Sequence, residues 1–159
     1  EKIPPFVGDP KEVMTVILLK LTGDVSGMMV LMFPPAMAQK IAALLTSNHK
    51  KQVPILDELD RSALREMGNI VAGASLSSLG RFLDLNIIQS IPDTATDMLG
   101  ATLDAILLDM GQVTEIMLAF KVKITIAELE GMNGQLFFMF DPKATTTILE
   151  AAKKKFPNI

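Results

Sequence analysis

The hydrophobic positions of this chain fall into two similar blocks. An unbroken apolar run at 28–33, Met-Met-Val-Leu-Met-Phe, stops at Pro34-Pro35, and an amphipathic stretch follows. A second run, Leu136 to Phe140, stops at Asp141-Pro142 and is followed in the same way. Short apolar runs of this kind read as buried strands, and proline fits the first turn of a helix, where its missing N–H costs least. Each run is preceded by another strand-like segment and a glycine-containing turn. These are Val13 to Leu21 with Thr22-Gly23-Asp24, and Glu115 to Leu129 with Glu130-Gly131-Met132-Asn133. Each pair predicts a β-hairpin.

The blocks are also related residue by residue. At a constant offset of 107, Gly27, Met32, Phe33, Pro35 and Ile41 match Gly134, Met139, Phe140, Pro142 and Ile148. The repeat predicts two halves, 13–47 and 115–155, related by a pseudo-twofold. The expected order is hairpin (13–33), helix (35–47), linker (48–56), long helix (57–84) and strand (85–91). A short helix (96–108), a hairpin (115–140) and a final helix (142–155) complete it. This is an α+β arrangement, a pseudo-twofold β-sheet of hairpins with long helices packed on it, in one domain over 1–159. Asp57 and Asp60 are placed to cap the long helix and favour its positive end. The apolar runs read as core, and most of the eleven methionines as core filling.

Composition narrows the chemistry. With 159 residues and 49 % apolar content, the chain is long enough to bury a sizeable core. A net charge of −3 and scattered Lys and Arg give no basic face for nucleic acid. Lys153, Lys154 and Lys155 read as the cationic last turn of a helix. The absence of cysteine excludes disulfides, thiolate nucleophiles and zinc–thiolate sites. The one histidine, His49, falls in the polar stretch 46–52 and reads as a solvated loop residue. No apolar run approaches the roughly 20 residues that span a bilayer, and no signal peptide is visible. The chain starts at Glu1 without an initiator Met, as a fragment or processed chain would. The expected setting is the cytoplasm, with no membrane insertion.

Candidate chemistry lies on the long helix. Leu64, Met67, Ile70, Val71, Leu79 and Leu83 supply its apolar positions, and Gly68 and Gly73 interrupt it. Each glycine costs about 1 kcal/mol relative to alanine, so the pair predicts close approach of another backbone or of a docking partner. Glu66 and Asn69 are three positions apart and so share one helix face, with Ser62 and Arg65 a turn earlier. The carboxylate can grip a cation while the amide holds a water. Spacing alone also fits two ordinary solvated positions.

The wider pattern is more specific. Ser62-x3-Glu66-x2-Asn69-x22-Pro92 resembles the motif of the CheC/CheX/FliY phosphatases of chemotaxis. The resemblance runs from about Asp9 to Phe156. It includes Leu-Thr-Gly-Asp-Val-Ser-Gly at 21–27, Asp57-Glu58, Ser62 to Ile70, and Pro92. It implies a CheC-like fold and hydrolysis of the aspartyl phosphate on a CheY-like response regulator. In that mechanism Glu66 and Asn69 are the catalytic pair. Glu66 would ion-pair with the regulator's lysine, and Asn69 would hold the attacking water in line with phosphorus. Ser62, Arg65 and Pro92 would be partner-binding, Pro92 chiefly by fixing the turn after the 85–91 strand. The protein would need no cofactor of its own, because the regulator carries the Mg²⁺.

The chain departs from the family pattern at one place. Two-site relatives carry a second Glu-x2-Asn helix before the first hairpin, and 96–108 supplies no replacement, so one site is expected. A sheet face left uncovered by that helix would suit a homodimer. The competing expectation is an adaptor of the same fold without catalysis, binding CheD or the flagellar switch. Retention of the Glu/Asn pair favours the enzyme.

Overall fold

Ten elements follow one another in the computed structural model, which describes residues 7–47, 55–109 and 118–158. They are β1 (Val13–Gly23), β2 (Gly27–Phe33), α1 (Pro35–Thr46), α2 (Glu58–Leu83), β3 (Ile87–Gln89) and β4 (Asp93–Met98). Next come α3 (Leu99–Asp109), β5 (Leu118–Thr125), β6 (Asn133–Phe140) and α4 (Pro142–Lys155). The expected linker falls outside the described residues up to position 54, and His49 with it. Positions 115–117 of the second hairpin are also outside them.

All strands pair antiparallel in one sheet ordered β3-β1-β2-β6-β5, with β4 also paired to β1. Both faces of its centre are covered, which is why β2 reads as an unbroken apolar run rather than an alternation. Ile17, Leu19, Leu21, Met29, Leu31, Phe33, Leu136, Phe138 and Phe140 point to the side of α1, α2 and α4. Their strand neighbours Val16, Met28, Val30, Met32, Phe137 and Met139 point to the other side, against Leu99, Leu103 and Ile106 of α3. Six of the methionines, Met14, Met28, Met29, Met32, Met37 and Met139, are buried there as packing residues, whereas Met98 is exposed.

The matched runs of the repeat meet at the sheet centre. In the β2–β6 pairing Gly27 lies opposite Phe140 and Val30 opposite Phe137, the register a twofold between the two strands requires. A Cβ on Gly27 would stand 3.0 Å from the Phe140 ring and 2.2 Å from the Met139 carbonyl oxygen. A Cβ on Gly134 would stand 2.5 Å from the Phe33 ring and 3.3 Å from the Met32 carbonyl oxygen. Each glycine is roofed by the phenylalanine that ends the other run.

The starts of α2 and α4 are closed by local chemistry. Asp57 Oδ1 accepts from the Asp60 N–H at 2.9 Å, and Asp60 Oδ2 accepts from the Asp57 N–H at 3.1 Å. This reciprocal box opens α2 and is worth about 1 kcal/mol. At α4, Asp141 accepts from the Ala144 N–H and Pro142 occupies the first turn.

The segment after α2 departs from expectation. A strand was expected at 85–91 and a helix at 96–108, but 93–98 is strand, and the helix begins only at Leu99. Asp93-Thr94-Ala95-Thr96-Asp97 has no apolar alternation to announce a strand. It is held at the sheet edge by its ladder to β1 and by hydroxyls. Thr94 Oγ1 donates to the Val16 carbonyl at 3.0 Å, and Thr96 and Thr15 share a hydrogen bond of 3.0 Å. The N–H groups of Leu99 and Gly100 then donate to the carbonyls of Glu12 and Pro10, which starts α3 there.

β3 and β4 run along the same side of β1 but are out of step by one residue. Gln89 pairs with Leu21 and Asp93 with Leu18, so four residues of advance face three. The extra residue is a β-bulge at Ser90-Ile91-Pro92, and Pro92 is buried within it. Proline has no N–H for the ladder, so a bulge is one of the few positions in a sheet that accepts it.

Candidate functional site

Helix α2 lies on the sheet through one long stripe. Asp60, Leu64, Gly68, Ala72, Leu76 and Gly80, four residues apart, are all buried. Glu66 and Asn69 lie off that stripe and are exposed, as is Ser62. Gly68 lets the helix settle against Ile17 of β1, where an added Cβ would come within 2.6 Å of Cγ2. The neighbour of Gly73 is the Gln89 side-chain oxygen, 3.9 Å from where a Cβ would be. The close approach expected at these glycines is therefore to side chains of the protein itself, and it is tight only at Gly68. Ile70, one of the apolar positions of the helix, is 63 % exposed, next to Asn69.

The bulge brings the distant part of the motif beside the helix. Ser62, Arg65, Glu66 and Asn69 of α2 line one open groove of about 390 Å³ with Gln89, Ser90, Ile91 and Pro92. All five residues singled out in the sequence thus border the same groove. Gln89, Ser90 and Ile91 were not singled out. Their signal was weak: only the proximity of Pro92 in the motif marked this stretch, and the bulge that aims it cannot be read from residue types.

Two contacts organise the groove. Gln89 Nε2 donates to Asn69 Oδ1 at 2.6 Å and to the Asn69 backbone carbonyl at 3.2 Å. A backbone carbonyl only accepts, so the Gln89 amide must present its NH₂ edge, and Asn69 must answer with its oxygen. Both amides are thereby oriented. At the other end, Arg65 Nη2 pairs with Glu58 Oε1 at 2.5 Å. The hydrogen bond from Arg65, then its charge, holds the Glu58 carboxyl below its ordinary value. Arg65 is drawn toward the start of the helix, while Glu66 projects from the exposed face. Ile91, 89 % exposed, and Ile70 add apolar surface on this side.

The Glu-x2-Asn spacing occurs once more, at Glu130 and Asn133. Glu130 lies in the turn before β6 and Asn133 opens that strand, so no helix puts them on a common face. Among the described residues, no group of three or more His, Asp or Glu could hold a metal ion, and no helix is long and apolar enough to cross a membrane.

A six-stranded antiparallel sheet of this kind, with helices laid on it, is the architecture of solved CheX and FliY structures. FliY of Thermotoga maritima superposes with a TM-score of 0.67 at 17 % identity, over 91 % of this chain and 73 % of that one. The CheX chain of a CheX–CheY–BeF₃–Mg²⁺ complex from Borrelia burgdorferi gives 0.58 at 17 % identity, over 84 % and 79 %. The family model described as chemotaxis phosphatase CheX matches residues 15–105, more than half of the chain, and the chain belongs to that family. It is also 31 % identical over 117 residues to the CheY-P phosphatase CheC of Bacillus subtilis (strain 168). That match takes in 72 % of this chain and 56 % of the relative, so the chain spans little more than half the length of that protein.

Proposed function

We propose that this protein hydrolyses the aspartyl phosphate of a CheY-like response regulator, with Glu66 and Asn69 as its catalytic pair. The observation that carries this reading is the meeting of Ser62, Arg65, Glu66, Asn69 and Pro92 around one exposed groove, although thirty positions of chain separate the first from the last. Family membership supports the same reaction. A related CheX has been solved in complex with CheY, BeF₃ and Mg²⁺, which supports a regulator that brings its own Mg²⁺ to the contact.

Glu66 projects into solvent, where it can meet a lysine of the docked regulator and fix the relative position of the two proteins. Asn69 then enters the regulator's site and holds a water in line with phosphorus. The water oxygen forms the new P–O bond, and the bond to the aspartyl oxygen breaks. The regulator's carboxylate is restored, and the water's proton leaves with inorganic phosphate. No covalent intermediate forms on this chain, and catalysis comes from positioning and electrostatics. Loss of one positioned amide of this kind costs about 10²–10³ in rate. Ile91 and Ile70 supply apolar contact beside the polar pair, and Ser62 makes a peripheral contact. The setting that fits this partner is cytoplasmic.

The test is phosphate release from a phosphorylated CheY with wild type and Asn69→Ala side by side. Acceleration by wild type alone is the expected result. Equal acceleration by both would refute the assigned role of Asn69. No acceleration by either would move the protein to the adaptor reading, in which the same fold binds CheD or a switch component.

A further inference from the structure

The reach of Gln89 onto Asn69 crosses from the sheet edge to the helix, and nothing in the helix motif calls for it. Asn69 is an exposed side chain on a helix surface, where a carboxamide ordinarily samples several rotamers. Here one donor grips it twice, at its side-chain oxygen and at its own backbone carbonyl. Gln89 can reach because it is the last residue of β3 before the bulge and pairs with Leu21, on the sheet face that carries α2. Its chain lies over Gly73, one turn beyond Asn69, which leaves the Gln89 oxygen an uncrowded place.

We infer that Gln89 is a positioning residue for Asn69, an inference that rests on the phosphatase reading above. By taking one lone pair of Oδ1, Gln89 fixes the plane of the Asn69 carboxamide before the regulator docks. The second lone pair is left for a hydrogen of the attacking water, and the Nδ2–H groups are left for a phosphoryl oxygen. The entropy of ordering the amide is thus spent in the free protein rather than in the transition state. A residue acting this way changes the rate of the chemical step and leaves regulator binding largely alone.

The experiment compares wild type, Gln89→Leu, Asn69→Ala and the double variant on a phosphorylated CheY, with kcat and KM measured separately. Gln89→Leu keeps the bulk and removes the donor. It is expected to lower kcat about tenfold, within the penalty for modest misplacement, with KM within about twofold. The double variant is expected to be no slower than Asn69→Ala, because Gln89 acts only through Asn69. In ¹⁵N spectra the Asn69 side-chain amide pair should move toward random-coil positions in Gln89→Leu. Gln89→Glu, isosteric but unable to donate as a carboxylate, accepts instead from Nδ2 of a flipped Asn69 amide and should lower kcat at least as far as Gln89→Leu, which controls for packing. Hydrolysis lost in Asn69→Ala but untouched by Gln89→Leu would sink the clamp alone. A rise in KM with kcat unchanged would make Gln89 a docking contact. Faster turnover in Gln89→Leu would make it a restraint on Asn69, again against the proposal. Hydrolysis that survives Asn69→Ala would remove the phosphatase reading and the clamp's catalytic role together.

Discussion

Gly68 of α2 rests directly on the Cγ2 methyl of Ile17 in β1, and this contact sets how deeply the helix lies on the sheet. Glu66 and Asn69 flank that glycine, so the depth of the contact also sets the height of the pair above the groove. Ile17 is fully buried and cannot move aside easily. Gly68→Ala gains about 1 kcal/mol of helix propensity but overpacks the core by about 1–3 kcal/mol. The expected net effect is destabilisation. Gly73→Ala meets only ordinary van der Waals contact and should stabilise by up to about 1 kcal/mol. Urea unfolding of the two variants should move their midpoints in opposite directions. A shift in the same direction for both would contradict the packing described.

The reciprocal seats of Gly27 and Gly134 predict a matched pair of defects. Alanine at either position meets the opposite phenylalanine ring and a strand carbonyl in the sheet centre. Each should cost at least the roughly 1–3 kcal/mol typical of overpacking, and both should act on the same β2–β6 seam. Because the sites are in one contact network, the double variant should deviate from additivity. Thermal unfolding of the three variants checks this, and additive, mild losses would argue against a shared seam.

The Arg65–Glu58 pair gives a pH signature with a definite sign. The folded Glu58 carboxyl titrates below its ordinary value because Arg65 favours the charged form. Its contribution to stability is therefore present above the ordinary carboxylate range and is lost as pH falls through the folded value. The group is well exposed, so the effect is small and screened by salt. In Arg65→Gln the Glu58 midpoint, followed by carboxyl ¹³C shifts, should rise toward 4.5. An unchanged midpoint would mean that the pair does not persist in solution.

Among the described residues, Ile91 is the most exposed of the large apolar side chains, and it borders the groove. A lone isoleucine held in water at the tip of a bulge contributes little to folding. Ile91→Ser should leave the unfolding midpoint within experimental error. It should raise KM for the phosphorylated regulator more than it lowers kcat. A lower midpoint with unchanged KM would assign Ile91 to folding instead.

Much of this architecture could be read from residue order, and the exceptions share a cause. The repeated strand–proline–helix blocks and the Asp57 cap were visible because burial and capping impose local patterns. The polar strand Asp93–Met98 was not, because an exposed edge strand is chosen by its partner's ladder rather than by its own side chains. Ile70 is apolar yet exposed, because the buried stripe of α2 passes through Gly68 and Ala72, a placement that hydrophobicity alone does not reveal. In the groove, Glu66 and Asn69 were legible from the motif, helical periodicity adding only that they share a face. Gln89 was not, because its reach depends on a register shift between strands that no single strand records.

That shift has a consequence for how the chain tolerates changes of length. Residues 90–92 look like a connection of the sort that usually absorbs insertions and deletions. Here one residue decides parity: Gln89 stands opposite Leu21 and Thr94 opposite Ile17, so an odd and an even position share the sheet face that carries α2. Deleting Ile91 would let the edge run as one regular strand, and either Gln89 or the whole of β4 would have to turn over. This three-residue link is thus a spacer of fixed length, and its count is held by the need to serve both flanking strands.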